Sequence, residues 1–249
     1  HDLRDWNNIR KNLFKKIFKY IQLIQWKQTK RIIAVSNFTK DEIIIKTNKN
    51  PLDILVSYNG VEKIPSNVIK FQNRKIDVLC VAPFEERKNH ITLIKSLNLL
   101  KNNNIFINCQ FIGTDRGYLK RIKENIKYYG LDEIITINTN IKSPEKLLNL
   151  YNNSKILSFP SIYEGFGIPL IEALSHGTKV VCSNIPPFKE VCKNYASYHD
   201  PFDYLELSSL ILDELKNPPN ALDMQRFVNN NYLWSKNIKE MINLMYKKN

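Results

Sequence analysis

From Ile76 onward, short apolar runs alternate with stretches whose apolar residues recur every three or four positions. The runs are Ile76 to Val81, Ile105 to Ile112, Ile134 to Asn138, Ile156 to Phe159, Lys179 to Ser183 and Ala196 to His199. Helical patterns lie between and after them, at 90–102, 116–129, 143–153, 168–176, 187–193 and 203–216. Such alternation predicts an α/β fold: a parallel sheet with helices on both faces, whose ligands gather at the carboxyl ends of the strands. Residues 221–248 read as one continuous helical tail.

The first part of the chain has a different rhythm. Asn8 to Lys30 reads as one helix, with Ile9, Leu13, Ile17, Ile21 and Ile24 on one stripe and Lys or Arg over most of the rest. Arg31 to Val35 is a short strand, Thr39-x-x-Glu42 reads as a capping box opening a helix, and Pro51 ends that helix. Leu52 to Tyr58 is a further strand, closed by the turn signal Asn59-Gly60. The next stretch, 62–75, has mixed polarity and no period. It reads as a linker, so the expected division is 1–72 for the end of one α/β domain plus linker, and 73–249 for a Rossmann-like domain.

Composition narrows the class. With 249 residues, 43% hydrophobic and 24% charged, the chain is globular, and no apolar run approaches the roughly 20 residues of a membrane span. It begins His1-Asp2-Leu3, with neither an initiator Met nor a signal-peptide core, which reads as a cut through a longer protein. Cys80, Cys109, Cys182 and Cys192 are widely spaced, with no metal-ligand pattern; they read as buried thiols in a reducing cytoplasm. The net charge of +13 asks for anionic partners. Residues 1–30 carry eight Lys or Arg against two Asp, so 8–30 reads either as a basic amphipathic helix lying on an anionic membrane surface or as a solvated basic face. Nucleic acid is set aside, because the chain holds no reading motif and no spaced aromatic platforms.

Candidate chemistry concentrates in 156–177, ILSFPSIYEGFGIPLIEALSHG. An apolar run ends at Pro160-Ser161, a loop carries Glu164, Gly165, Phe166 and Gly167, and a helical pattern starts at Ile168 with Pro169 in its first turn. A helix N-terminus at the end of a buried strand offers free N–H groups and a positive dipole end to a phosphate. Two acids, Glu164 and Glu172, flank that position. Carboxylates beside a phosphate need another task, and accepting hydrogen bonds from sugar hydroxyls is one. One acid for each sugar ring on either side of a diphosphate describes a nucleotide sugar. After the first strand, Arg87-Lys88-Asn89 would enter the same cleft from a neighbouring strand and neutralise the diphosphate. A G-x-G-x-x-G fingerprint is absent there, which argues against a dinucleotide.

Glu164 to Glu172, with the surrounding PSIYEGFGIPLIEALSHG, resembles the E-x7-E motif of retaining glycosyltransferases of the GT-B fold, in particular the family 4 group. The resemblance also covers AVSNFTKDEI and ILVSYNGVEK, similar to the end of the N-terminal, acceptor-binding domain of those enzymes. It implies that Glu164 lies against the donor sugar, that Glu172 binds the ribose, and that main chain around Gly167 and Ile168 meets the diphosphate. It further implies that Arg87 and Lys88 stabilise the leaving group, that Gly113 lines the nucleotide pocket, that groups near Ile141 pair with the base, and that His1 lies against the sugar. Ala82 and Lys193 stand where the family commonly has glycine.

The expected activity is retaining transfer of a sugar from a nucleotide diphosphate sugar to a glycan or lipid-linked acceptor, with no cofactor and no metal. The expected place is the cytoplasm, including the inner face of the membrane. Two alternatives stay open at this point: a sugar phosphorylase on the same fold, and a fragment that binds a nucleotide or a membrane without catalysis.

Overall fold

The computed structural model describes residues 13–141 and 143–246. His1 and the first residues of the predicted basic helix lie outside them. The main sheet has six strands, all parallel: β3 (Ile76–Val81), β4 (Cys109–Ile112), β5 (Ile135–Asn138), β6 (Ser154–Phe159), β7 (Lys179–Ser183) and β8 (Ala196–His199). Their order across the sheet is β5-β4-β3-β6-β7-β8, so the chain reverses direction between β3 and β6. That gap is the topological switch point, where loops leaving adjacent strands diverge and leave a crevice.

Helices cover both faces. α3 (His90–Asn102), α4 (Leu119–Tyr128) and α8 (Tyr204–Lys216) lie on one side, against Val78, Cys80, Ile156 and Val181. α5 (Pro144–Asn152), α6 (Ile168–Ser175), α7 (Pro186–Cys192) and α9 (Ala221–Asn231) lie on the other, against Leu79, Leu157, Phe159 and Cys182. Alternate strand residues thus feed two separate cores, and near-continuous apolar runs are what a sheet buried on both faces requires. All four cysteines are buried and unpaired, Cys80 and Cys109 in one core and Cys182 and Cys192 in the other.

A smaller parallel pair, β1 (Ile32–Ala34) and β2 (Ile54–Val56), is connected by α2 (Asn37–Thr47). Ahead of it, α1 (Leu13–Gln28) packs Trp26 onto the small core of Ala34, Ile43 and Ile54, while Tyr20, Ile21 and Ile24 are exposed.

Several elements differ from the sequence expectation, among them β2, which starts at Ile54 because Pro51–Asp53 forms a 3-10 turn. The α2 cap is Ser36, not Thr39: its hydroxyl accepts from Thr39 N at 3.0 Å, and Glu42 turns outward to the Tyr163 hydroxyl and to Lys46. β4 starts at Cys109, because Ile105 N bonds back to Leu100 O at 2.9 Å to close the end of α3, leaving Phe106 exposed. The tail is two helices, α9 and α10 (Trp234–Tyr246), since Val61 N donates to Tyr232 O at 2.8 Å and Trp234 N to Val61 O at 3.1 Å. Pairing with Val61 uses main-chain groups that a continuous helix would need for itself. It also explains Gly60, where a Cβ would lie 2.6 Å from Trp234 N.

Arg74 fastens the predicted linker to the sheet. It is 4% exposed and donates to the carbonyls of Ile69, Ser154 and His176 and to the Thr178 hydroxyl at 2.7–3.0 Å. Burial lowers its pKa to about 10, so it stays charged at neutral pH. Arg74→Met leaves three carbonyls without their donor and is expected to cost about 3 kcal/mol or more in urea unfolding. Lys193 carries a strain of the opposite sign. Its backbone sits at φ 49, ψ −122, a region suited to glycine. Lys193→Gly is expected to raise unfolding free energy by about 1 kcal/mol, measured the same way.

Candidate functional site

Two loops meet at the switch point. After β3 the chain runs through Ala82 to Phe84 into a 3-10 turn, Glu86–Lys88, and Asn89 adopts a left-handed conformation (φ 53) before α3 begins. Asn89 is tied to the loop beyond β8 by a 2.6 Å bond from Nδ2 to Pro201 O. The course of this loop depends on Gly113, at the end of β4, where a Cβ would lie 1.9 Å from Ala82 O. Close approach of two main chains accounts for that glycine, and the alanine at 82 is compatible with it. After β6, residues 160–167 lead into α6, with Gly167 at φ 100, where a Cβ would lie 2.9 Å from Leu170 and Phe188.

The loops are joined through Glu164. Its Oε1 accepts from Lys88 Nζ and forms an ion pair with Arg87 Nη1 at 2.8 Å. Arg87 also donates to Tyr163 O at 2.6 Å and pairs with Glu85, while Ile162 N donates to Arg87 O at 2.9 Å. Lys88 and Glu164 are each 6% exposed, and the Lys88 ammonium lies 5.0 Å from the centre of the Phe159 ring. Burial pulls the Lys88 pKa down and the neighbouring Arg87 adds to that, while Glu164 pulls it back up. The result is a desolvated cluster of two cations and two acids in which one carboxylate oxygen holds both cations. Such an arrangement is sound only while complete, since removing one partner leaves a buried charge. An arriving dianion can replace Glu164 as the cations' partner and free the carboxylate to accept hydroxyl hydrogen bonds.

Main-chain donors stand beside the cluster. Among the described residues no acceptor takes the N–H groups of Phe166, Gly167 or Ile168, which lead into the first turn of α6. The Phe166 side chain is not part of that face: it is buried against Tyr58 and Tyr232, with ring centres 6.0 and 5.9 Å away. Ile168 is 40% exposed.

Glu172 lies one helical turn beyond Ile168 on α6 and does not touch the Lys88–Glu164 cluster. Its Oε2 accepts the fully buried Tyr151 hydroxyl at 2.7 Å. Burial raises the Glu172 pKa and the Tyr151 bond partly offsets that. Ile141 packs its side chain on the larger core. The structure therefore brings Arg87, Lys88 and Glu164 into contact and continues them into the loop 165–168, while Glu172, Gly113 and Ile141 sit on separate elements of the strand-end face.

Sequence reasoning missed the contribution of α2. Ser36 and Thr39 donate to Gly165 O at 2.6 and 3.2 Å, and the Tyr163 hydroxyl donates to Glu42. On α7, Glu190 accepts from Asn37 N at 2.7 Å and Phe38 N at 3.1 Å, a carboxylate at a helix N-terminus. Tyr58, bonded to Asn37 Nδ2 at 3.0 Å, has its pKa pushed up to about 12 by burial and then by Glu190. Only the Ser at 36, three residues ahead of Thr39, hinted at a different helix start.

The O-antigen chain mannosyltransferase RfbU of Salmonella typhimurium is 31% identical over 246 residues, 97% of this chain and 66% of that protein. The O-antigen chain mannosyltransferase B of Escherichia coli is 29% identical over 75% of this chain and 52% of its own length. The chain thus spans between half and two thirds of these relatives. A crystal structure of S. aureus TarM in complex with Fondaparinux, alpha-GlcNAc-glycerol and UDP superposes with a TM-score of 0.77 at 21% identity, over 93% of this chain and 47% of that one, which shows a common GT-B fold. Residues 62–234, well over half of the chain and including every element of the Lys88–Glu164 cluster, match the family model described as Glycosyl transferases group 1, and the chain belongs to that family.

Proposed function

We propose that the protein transfers a hexosyl group from a nucleotide diphosphate sugar to a glycan or lipid-linked acceptor, with retention of anomeric configuration. The observation that carries this reading is the Glu164 carboxylate held jointly by Lys88 and Arg87 at the switch point, beside unpaired N–H groups leading into α6. Relatives named as mannosyltransferases favour mannose, and a fold neighbour solved with UDP favours a nucleotide at the strand-end face.

In this reading the diphosphate takes the cations. Lys88, Arg87 and the loop N–H groups stabilise the charge that grows on the leaving oxygen as the bond between the sugar's anomeric carbon and that oxygen breaks, the electron pair departing with the phosphate. The acceptor oxygen bonds to the same carbon on the same face, and its proton passes to the departing phosphate oxygen. Glu164 holds the sugar through its hydroxyls, and Glu172, with Oε2 on Tyr151, offers Oε1 to the ribose. With cations and N–H groups meeting the diphosphate, no metal is required. Exposed Tyr20, Ile21 and Ile24 beside Lys27 and Lys30 support a seat against an anionic membrane on its cytoplasmic side, where a lipid-linked acceptor would be presented.

A thermal-shift panel of UDP, GDP, ADP and CDP sugars is expected to show stabilisation by one base, weakened about tenfold or more in Lys88→Ala. Silence from all four nucleotides, or unchanged affinity in Lys88→Ala, would sink the reading. NMR of the glycoside product is expected to show the donor's anomeric configuration, and inversion would overturn the same-face route.

Glu172 links binding and stability with opposite signs. Because its folded pKa is raised, the folded state holds that proton more tightly than the unfolded chain, and stability falls as pH rises from the ordinary glutamate range through the raised value. Glu172→Gln is therefore expected to melt higher than wild type at neutral pH while binding the nucleotide sugar more weakly. A variant that melts lower, or that binds as before, would count against the assignment.

A further inference from the structure

The Gly165 carbonyl, in the Glu164 loop, is held by hydroxyls from outside the six-stranded sheet. Ser36 Oγ donates to it at 2.6 Å and Thr39 Oγ1 at 3.2 Å, and all three residues are buried. Ser36 Oγ also accepts from Thr39 N at 3.0 Å, so one hydroxyl caps α2 and grips the loop together. On the other side of Glu164, Tyr163 gives its hydroxyl to Glu42 and sets its ring edge-on to Phe38 at 6.0 Å. Residues 163 and 165 are thus anchored to α2, while Glu164 between them turns to Lys88 and Arg87.

A peptide group is planar and trans, so the direction of one carbonyl fixes the direction of the next N–H. With Gly165 C=O drawn onto Ser36 and Thr39, the Phe166 N–H points the opposite way, off α2, and no acceptor among the described residues takes it. It is followed by Gly167, whose positive φ turns the chain into α6. Released from α2, this glycine-flanked peptide could rotate and present its carbonyl to the anion site in place of its N–H.

We propose that Ser36 and Thr39 are positioning residues: by holding the Gly165 carbonyl they aim the Phe166 N–H at the terminal phosphate of a bound nucleoside diphosphate. The inference rests on the donor reading above and goes beyond it. It makes α2, an element of the small β1–β2 unit, a part of the phosphate site, so that phosphate affinity depends on how that unit is seated. The bond concerned reaches the second phosphate and not the nucleoside, which provides a selective readout.

The test compares a nucleoside diphosphate with its monophosphate, using the base found by the thermal-shift panel, by calorimetry on the full chain. The variants are Thr39→Val, which leaves the Ser36 cap in place, and the double change Ser36→Ala with Thr39→Val. Hydroxyl-preserving Ser36→Thr and Thr39→Ser serve as rescue, and Lys88→Ala as control. Diphosphate affinity is expected to fall severalfold in Thr39→Val and about tenfold or more in the double variant, with monophosphate affinity within twofold of wild type and both restored by the hydroxyl-preserving changes. Equal loss for both ligands, or failure of the hydroxyl-preserving variants to recover, would mean a structural role only and overturn the inference. Unchanged diphosphate affinity in the hydroxyl-free variants, with a loss in Lys88→Ala, overturns the inference and leaves the donor reading intact. Unchanged affinity in Lys88→Ala as well removes the donor reading and this inference with it.

Discussion

One carboxylate oxygen shared by two cations is the contact around which this molecule is arranged. Lys88 and Arg87 come from the loop after β3, Glu164 from the loop after β6, and the two strands are neighbours only because the sheet reverses its winding between them. Lys88 is desolvated enough for burial to depress its pKa, so the charges depend on one another for solvation. Everything that fixes the two loops, from Gly113 against Ala82 to Asn89 on Pro201, also fixes this contact.

The same interaction gives the cleft a reason to respond to an anion. A buried ion pair contributes little net stability when its desolvation is counted, but it keeps the cations in place and available. In the proposed reading a diphosphate takes the cations over and leaves the acid to the sugar hydroxyls. Glu172 follows a related logic farther along α6: a carboxylate kept partly out of water, with one oxygen steadied by Tyr151 and a raised pKa as the cost.

A second constraint comes from the small unit of β1, α2 and β2, which meets the larger sheet through polar contacts as well as through the rings of Phe38 and Tyr58. Ser36, Thr39, Asn37 and Phe38 meet Gly165 and Glu190, while Val61 ladders with Tyr232 and Trp234 to hold the tail. The polar part of such a junction is directional and sets how the two units are oriented on one another. It also explains why the tail must break into α9 and α10.

How much of this was legible beforehand can be followed residue by residue. The six strands and the helices between them were readable from apolar periodicity alone, because a sheet buried on both faces leaves runs that no surface segment tolerates. Glu164, Lys88 and Arg87 were readable as candidates for one cleft, an acid beside a glycine-rich helix start and cations after a neighbouring strand, and the structure brings the three into contact. Tertiary structure alone decided that Lys88 and Arg87 share one oxygen of Glu164, that Ser36 reaches the Gly165 carbonyl, that Phe166 points into the core, and that Gly113 serves a crossing of main chains. The physical reason is common to all four. Periodicity and residue type report what a segment buries, whereas these features depend on which segment, distant in the chain, arrives to be buried against it.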